Sequence, residues 1–342
     1  MPRQTPSADA DFAIIGAGLA GLSAALALSA QGHTVHLFDK ARGAGGRLST
    51  RRAGDHRFDH GGQYLTVRDA GLRRIIEELV DAGHAAPWDG HVVRLHPDGR
   101  MERHRVDRFV GLPGMSGLAH GLAARLPPDA RPRLSCRVAG IGGGPGNWRL
   151  DDAEGRGLGH YRRLVLALPA PQAADLLRPV APTLAGQADG AVMAPCWALM
   201  LAFDAVGDLP AWDGAFIAGA GGPGRPLSWI ARDGSKPGRG GTASFVAHAA
   251  PDWSARHLEA PPATLMPVLL AAFRAVTGIG AEPLFLDLHR WRYALPTRPL
   301  AGGFLLDGEA GIGVCGDWCL EARAEAAFVS GRALAMAMMA TC

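Results

Sequence analysis

Short apolar runs alternate with polar stretches along this chain in two distinct styles. In the first style, residues 12–15 predict a buried strand. Residues 19–31 carry small and apolar side chains at the spacing of a helix packed on a sheet, stopped by Gly32. Residues 34–38 predict the next strand, which completes a strand–helix–strand unit of about 30 residues. The style returns later: residues 114–126 predict a helix, residues 133–141 and 148–150 predict strands, and residues 163–168 predict an apolar strand ended by Pro169. "GIGVCGDW" and residues 320–339 close the chain as strand, turn and long helix.

The second style fills residues 71–108 and 176–284, where tryptophans, prolines and alternating apolar positions such as "CWALMLAF" and "TASFVAHA" predict an antiparallel sheet. Within it, "DGSKPGRGG" predicts a surface turn. Two units follow: a nucleotide-type unit from residues 1–70, 109–175 and 285–342, and a sheet-based substrate unit from residues 71–108 and 176–284. With 342 residues, 48% of them hydrophobic, the chain is long and apolar enough for two cores.

Charge and cysteine content narrow the function classes. The net charge of +3 is carried almost wholly by arginine, since Lys40 and Lys236 are the only lysines, and with 47 glycines this reads as coding bias rather than a nucleic-acid footprint. Cys136, Cys196, Cys315, Cys319 and Cys342 are odd in number and lack metal-type spacing, which points to reduced thiols in a cytoplasmic protein without a metal site. Residues 1–10 are polar, unlike a secretory signal, and no uncharged apolar run reaches the ~18 residues of a membrane span.

The chemistry begins at Gly16-Ala17-Gly18-Leu19-Ala20-Gly21, a G-x-G-x-x-G set directly after a strand and opening a helix. The first glycine serves the tight turn, the second lets backbone approach a pyrophosphate, and the third lets helix meet strand. Asp39 follows Gly21 by 18 residues at the end of the second strand, where a carboxylate accepts the hydroxyls of an adenosine ribose. Lys40 flanks that position.

Two further stretches resemble motifs of the flavin amine oxidase superfamily. Gly45-Gly46-Arg47, in the loop after Asp39, resembles its second glycine motif, which meets the FAD pyrophosphate; Gly316-Asp317 resembles its C-terminal motif, whose acid bonds the ribityl or pyrophosphate part of FAD. "FDHGGQYLT", "LSWIARDGSKPGR", "FVAHAAPDWS" and "HRWRYALP" are similar to the renalase family and its bacterial relatives, over nearly the whole chain. The resemblance implies an α/β fold with a Rossmann-type FAD domain and a second antiparallel-sheet domain, the flavin amine oxidase and p-hydroxybenzoate hydroxylase-like architecture. It also implies an FAD-dependent oxidase that takes a hydride from 2- and 6-dihydro isomers of NAD(P)H to flavin N5, with dioxygen reoxidising the flavin to hydrogen peroxide.

On this reading Gly61, Gly62 and Gln63 pass beside the flavin ring, Trp229 and His248 lie on the floor of the substrate pocket, and Trp291 and Tyr293 stack on a planar pyridine while Arg292 pairs with an acceptor. Val138 and Ala326 complete the cofactor set. Arg42 and Arg51 are weaker phosphate partners than Arg47, and Trp318 is either a flavin neighbour or packing. Two alternatives stand beside the oxidase: an amine oxidase or desaturase of the same superfamily, and a flavin-binding redox protein without turnover. Amine oxidases of the superfamily commonly hold a water at flavin N5 with a lysine. Lys40 beside the ribose and Lys236 in a surface turn are poor candidates for that role.

Overall fold

The computed structural model describes residues 8–204, 208–222, 224–240 and 243–341, so Cys342 and most of the polar segment 1–10 lie outside the described residues. Two seven-stranded sheets carry the architecture. In the first, Ala10–Ile15 runs parallel to Val35–Phe38 on one side and to Gly157–Leu166 on the other, and Ile312–Val314 continues the parallel set. Covered on both faces, these strands bury nearly all of their apolar side chains, which is why they read as short apolar runs. Leu19–Ser29 and Ala324–Ala340 cross one face so closely that a Cβ on Gly331 would lie 2.0 Å from the Ala20 carbonyl oxygen. Ser23 Oγ donates to the Phe328 carbonyl at 2.7 Å and ties the two helices together.

The second sheet has the order Phe285–Arg298, Val192–Phe203, Ala243–Ala249, Leu227–Arg232, Gly214–Ile217, Val92–Leu95, Met101–Arg103. Its neighbours are antiparallel except for Gly214–Ile217 against Val92–Leu95, which are parallel. On the outer face, Leu265, Leu269 and Phe273 of the helix Pro262–Thr277 pack on Leu199, Leu201 and Phe245. The opposite face meets the first unit: Met200, Ala202 and Val246 pack on Phe58, and Trp229 and Ala231 join the core around Leu22 and Leu65. The site therefore lies between the two sheets.

Several expectations are corrected. Ala70–Asp81, placed in the substrate sheet by the sequence reading, is a helix whose buried Leu72, Ile76 and Leu79 recur at helical spacing and pack on the nucleotide-unit core. Its start is capped by Asp69, which accepts from the Leu72 amide at 2.7 Å. Phe285–Arg298, assigned to the nucleotide unit, is hydrogen-bonded along Val192–Phe203 in the second sheet. The strand expected over 133–141 begins at Val138, because residues 133–136 run beside Asp39, whose amide donates to the Arg133 carbonyl at 3.0 Å. The closing helix begins at Ala324, after a short 3-10 turn at Asp317–Cys319.

Candidate active site

The glycine set forms an open cradle at the end of the first strand. Gly16 has φ +107°, and a Cβ there would lie 2.4 Å from the Ala167 carbonyl oxygen; a Cβ on Gly21 would lie 1.8 Å from the Gly16 oxygen. Neither position admits a side chain. Around Gly18, by contrast, no atom lies within 4 Å of where a Cβ would be, and the residue caps the helix Leu19–Ser29 without a side-chain partner. Open space over a helix N-terminus with free amides is an anion site. Leu19 and Ala20 are buried in the first turn of that helix.

Asp39 closes the cradle, Oδ2 accepting from the Ala17 amide at 2.7 Å and Oδ1 from the Ala41 amide at 2.8 Å. Lys40 beside it is exposed, and Val138 is buried nearby, where the Cys136 amide donates to the Asp39 carbonyl at 2.9 Å. The second glycine loop lies against the first: the Gly45 amide donates to the Ala17 carbonyl at 2.9 Å, and a Cβ on Gly46 would be 3.5 Å from Gly18 Cα. Arg47 reaches across to Asp317 in a two-pronged pair at 2.6 and 2.7 Å and to the Ala294 carbonyl at 3.0 Å. The second and third motifs thus meet in space, 270 residues apart in sequence. Gly316 joins them through its amide, which donates to Ser330 Oγ at 3.0 Å, and Ala326 is buried in the first turn of the closing helix.

Arg51 pairs with Asp287 at 2.7 Å, Arg42 is exposed, and Trp318 is a core residue whose Nε1 donates to the Leu168 carbonyl at 2.9 Å.

From Arg47 the chain passes to the loop at residues 59–63. The Gly62 amide donates to the Arg47 carbonyl at 2.8 Å, and a Cβ on Gly61 would sit 2.0 Å from that oxygen. The His60 carbonyl accepts from Trp291 Nε1 at 2.9 Å and from His248 Nε2 at 3.1 Å. A carbonyl only accepts, so the His248 proton is on Nε2. The rings of His60, His289 and Trp291 are mutually packed, with centroids 4.6 to 5.2 Å apart. Half-buried His289, Trp291 and Tyr293 alternate with exposed Arg290 and Arg292. Arg292 pairs with Glu259 at 2.6 Å at the surface, not with an acceptor in the pocket.

Lys236 is the largest correction. Far from lying in a surface turn, its side chain is 0% exposed, 3.0 Å from Asp59 and 2.6 Å from Asp233, with Arg239 completing a buried quartet of two cations and two anions. Its third contact is Gln63 Oε1 at 3.4 Å. Gln63 in turn donates through Nε2 to the carbonyls of Asp59 and, at 3.2 Å, Gly61. Asp59 also accepts from Thr50 Oγ1 at 2.7 Å and the Met115 amide at 2.9 Å. Burial alone would raise the Asp59 carboxyl, but Lys236 and Arg239 outweigh it and hold it at about 2. Composition hid this cluster: an Asp-Gly-Ser-Lys-Pro-Gly-Arg stretch reads as solvent-exposed until Asp59, from a distant part of the chain, is brought to it. Asp59, Asp233, Arg239, Trp88 and His289 were also missed, for want of any local signal.

Beyond Gln63 lies an aromatic file. Tyr64 contacts Trp88 and Trp229 with centroids at 6.0 and 5.9 Å, and Trp229 contacts Phe216 at 4.6 Å. Lys236 Nζ stands 5.7 Å from the Trp88 ring. The indole N–H groups of Trp88 and Trp229 are buried without a hydrogen-bond partner.

Two neighbouring histidines give a pH dependence. His60 and His248 are each pushed down to about 4, chiefly by burial. In the unfolded chain a histidine protonates near 6.5. Between about pH 4 and 6.5 the unfolded chain therefore binds more protons, and stability rises with pH across that window, reaching its full value above it. The urea midpoint is expected to fall between pH 7 and pH 5, and His248→Gln to flatten the slope. A wild-type midpoint constant over that range would contradict the buried neutral imidazoles.

A family model for flavin-containing amine oxidoreductases matches residues 68–339, and one for NAD(P)-binding Rossmann-like domains matches residues 14–79. The chain belongs to the flavin-containing amine oxidoreductase family. Its cofactor is FAD, and the open cradle at Gly18 and the joined second and third motifs fit that group. The neurosporene-forming phytoene desaturase of Rhodobacter capsulatus is 40% identical over 84 residues, 25% of this chain and 15% of the relative. The putrescine oxidase of Kocuria rosea is 28% identical over 123 residues, 34% of this chain and 26% of the relative. The chain thus matches well under half the length of either relative.

Among solved structures, cyclohexylamine oxidase from Brevibacterium oxydans IH-35A superposes with a TM-score of 0.75 at 15% identity, covering 96% of this chain and 98% of that one. Putrescine oxidase bound to putrescine gives 0.73 at 13% identity, covering 97% and 99%. These likenesses establish the fold. Among the described residues no helix is long and apolar enough to cross a membrane, and no cluster of three His, Cys, Asp or Glu could hold a metal ion.

Proposed function

We propose that this chain is an FAD-dependent oxidase of dihydronicotinamide dinucleotides, acting on the 2- and 6-dihydro isomers. The observation that carries the reading is the lining beside the Gly61–Gly62 loop: aromatic rings, neutral histidines and unpartnered N–H donors from Trp88 and Trp229, with both nearby carboxylates, Asp59 and Asp233, held in ion pairs. Such a lining suits a planar group bearing hydrogen-bond acceptors, as a nicotinamide carboxamide does, and its two enclosed carboxylates are already paired with cations.

Bound FAD would supply the hydride acceptor and pass the electrons to dioxygen, giving hydrogen peroxide. Gly18, Asp39 and the Gly45–Gly46 loop would hold its adenosine and pyrophosphate, and Arg47 and Asp317 its ribityl side. Trp291 and His248 fix the His60 carbonyl and so set the path of the loop beside the ring. Tyr64 and Trp229 would clasp the donor ring. A dihydropyridine leaves as a stable aromatic cation after losing hydride, so orientation and exclusion of water matter more than proton transfer.

Under anaerobic conditions the 2- or 6-dihydro isomers are expected to bleach the flavin within seconds, with 4-dihydro NADH and simple amines far slower, and air to return one hydrogen peroxide per turnover. Trp291→Ala is expected to slow bleaching more than it weakens FAD binding. Faster bleaching by benzylamine would overturn the reading. Oxidation of a primary amine is the second reading, favoured by one observation: Lys236 is buried beside Gln63 instead of at the surface. Against it, the Lys236 ammonium is already held by hydrogen bonds to Asp59 and Gln63 and by an ion pair with Asp233 at 2.6 Å.

A further inference from the structure

We propose that Arg94, His104 and Arg108 form an anion subsite for the phosphate of a nucleotide substrate, at the outer end of the aromatic file; the inference deepens the dihydronicotinamide reading and rests on it for the identity of the substrate. The Arg108 guanidinium lies over the Tyr64 ring at 5.1 Å, and that of Arg94 over the Phe216 ring at 5.9 Å. His104 stands between them, its ring 5.3 Å from Phe216. Arg108 is 5% exposed; its Nη1 donates to the Val106 carbonyl at 3.1 Å and its Nη2 to the His104 carbonyl and Nδ1, both at 2.8 Å. Because Nδ1 accepts, the remaining proton of the neutral His104 ring is on Nε2.

Charge at this rim is only partly compensated, by Glu102, whose carboxylate acts on His104. Glu102, opposite Arg94 in the strand pair, turns to His96 at 3.4 Å, and Asp98 is held by Arg100 at 2.8 Å. Among the described residues neither Arg94 nor Arg108 has a carboxylate within ion-pair distance. Arg108 Nε is buried with no partner at all. A buried guanidinium without a counter-charge carries a desolvation cost that a bound anion would relieve. Arg94, stacked over the Phe216 ring and without a hydrogen-bond partner among the described residues, keeps its planar edge for bidentate contact, the geometry that suits phosphate, while Arg108, both of whose Nη2 donors are taken by His104, adds charge. The neighbouring rings would take the flat base of the same molecule, with its ribose bridging base and phosphate. A cationic or wholly apolar substrate would leave both arginines unanswered.

The test uses the FAD-loaded protein, whose adenosine site is already filled, with inorganic pyrophosphate and ADP as probes in calorimetric titrations at low salt. Arg94 is exposed, so R94Q is expected to fold normally while raising the dissociation constant for ADP about tenfold or more. The KM for the reactive dihydronicotinamide dinucleotide should rise in parallel, and the KM for the phosphate-free dihydronicotinamide riboside should not follow. Equal affinity of wild type and R94Q for both probes overturns the subsite. Loss of probe binding in R94Q, with no dihydronicotinamide isomer bleaching the flavin, sustains the subsite and assigns the failure to the proposed reaction instead.

Discussion

Lys236→Met is expected to destabilise the protein by about 3–5 kcal/mol, the range for removing one partner of a buried ion pair. The substitution would leave Asp59 and Asp233, both 0% exposed in their side chains, to share Arg239 alone. One negative charge would then be buried without compensation. Gln63 would lose the donor that holds its Oε1, so the loop beside the flavin would loosen as well. Denaturant unfolding of the FAD-loaded protein measures the first effect, and the flavin absorption band reports the second. Adding Asp233→Asn to Lys236→Met removes the surplus charge and is expected to recover part of the loss. An unchanged unfolding midpoint in the single variant would show that the quartet is not ionised as paired.

Asp39→Ala is expected to raise the dissociation constant for FAD by about tenfold or more, since one hydrogen bond to a charged group contributes about 1.5–3 kcal/mol. The structure adds a second reason. Asp39 holds the Ala17 and Ala41 amides, so its loss also releases the glycine loop from the loop that follows the strand. Asp39→Asn keeps one acceptor oxygen and should fall between wild type and alanine. Titration of the apoprotein with FAD, followed by flavin fluorescence, reads all three. Equal affinities would remove Asp39 from the cofactor site.

The two substitutions differ in how visible their positions are in the sequence. Asp39 stands at a set distance from a glycine motif, after an apolar strand, because the strand–helix–strand unit is local and its spacing is imposed by strand and helix lengths. Gly45, Gly46 and Arg47 follow it directly, so that part of the proposed site was legible too. Lys236 carries no such mark. Its neighbours in sequence are turn formers, and its partners come from residues 59 and 63 on another element. The helix Ala70–Asp81 was misread for a milder reason: its apolar residues do recur at helical spacing, but prolines, tryptophans and alternation in the surrounding stretch masked them.

By itself the sequence determined the strand–helix–strand unit, the glycine turn between its strand and helix, and the presence of a second, aromatic-rich sheet, since each follows from local periodicity or from a motif with fixed spacing. Only the tertiary structure decided that Phe285–Arg298 belongs to the second sheet, that Trp291 and His248 converge on the His60 carbonyl, and that Lys236 is enclosed by two carboxylates. The physical reason is the same in each case. Strand partners, ring contacts and buried charge pairs form between residues far apart in the chain, and whether a lysine faces water or two carboxylates depends on which elements pack over it.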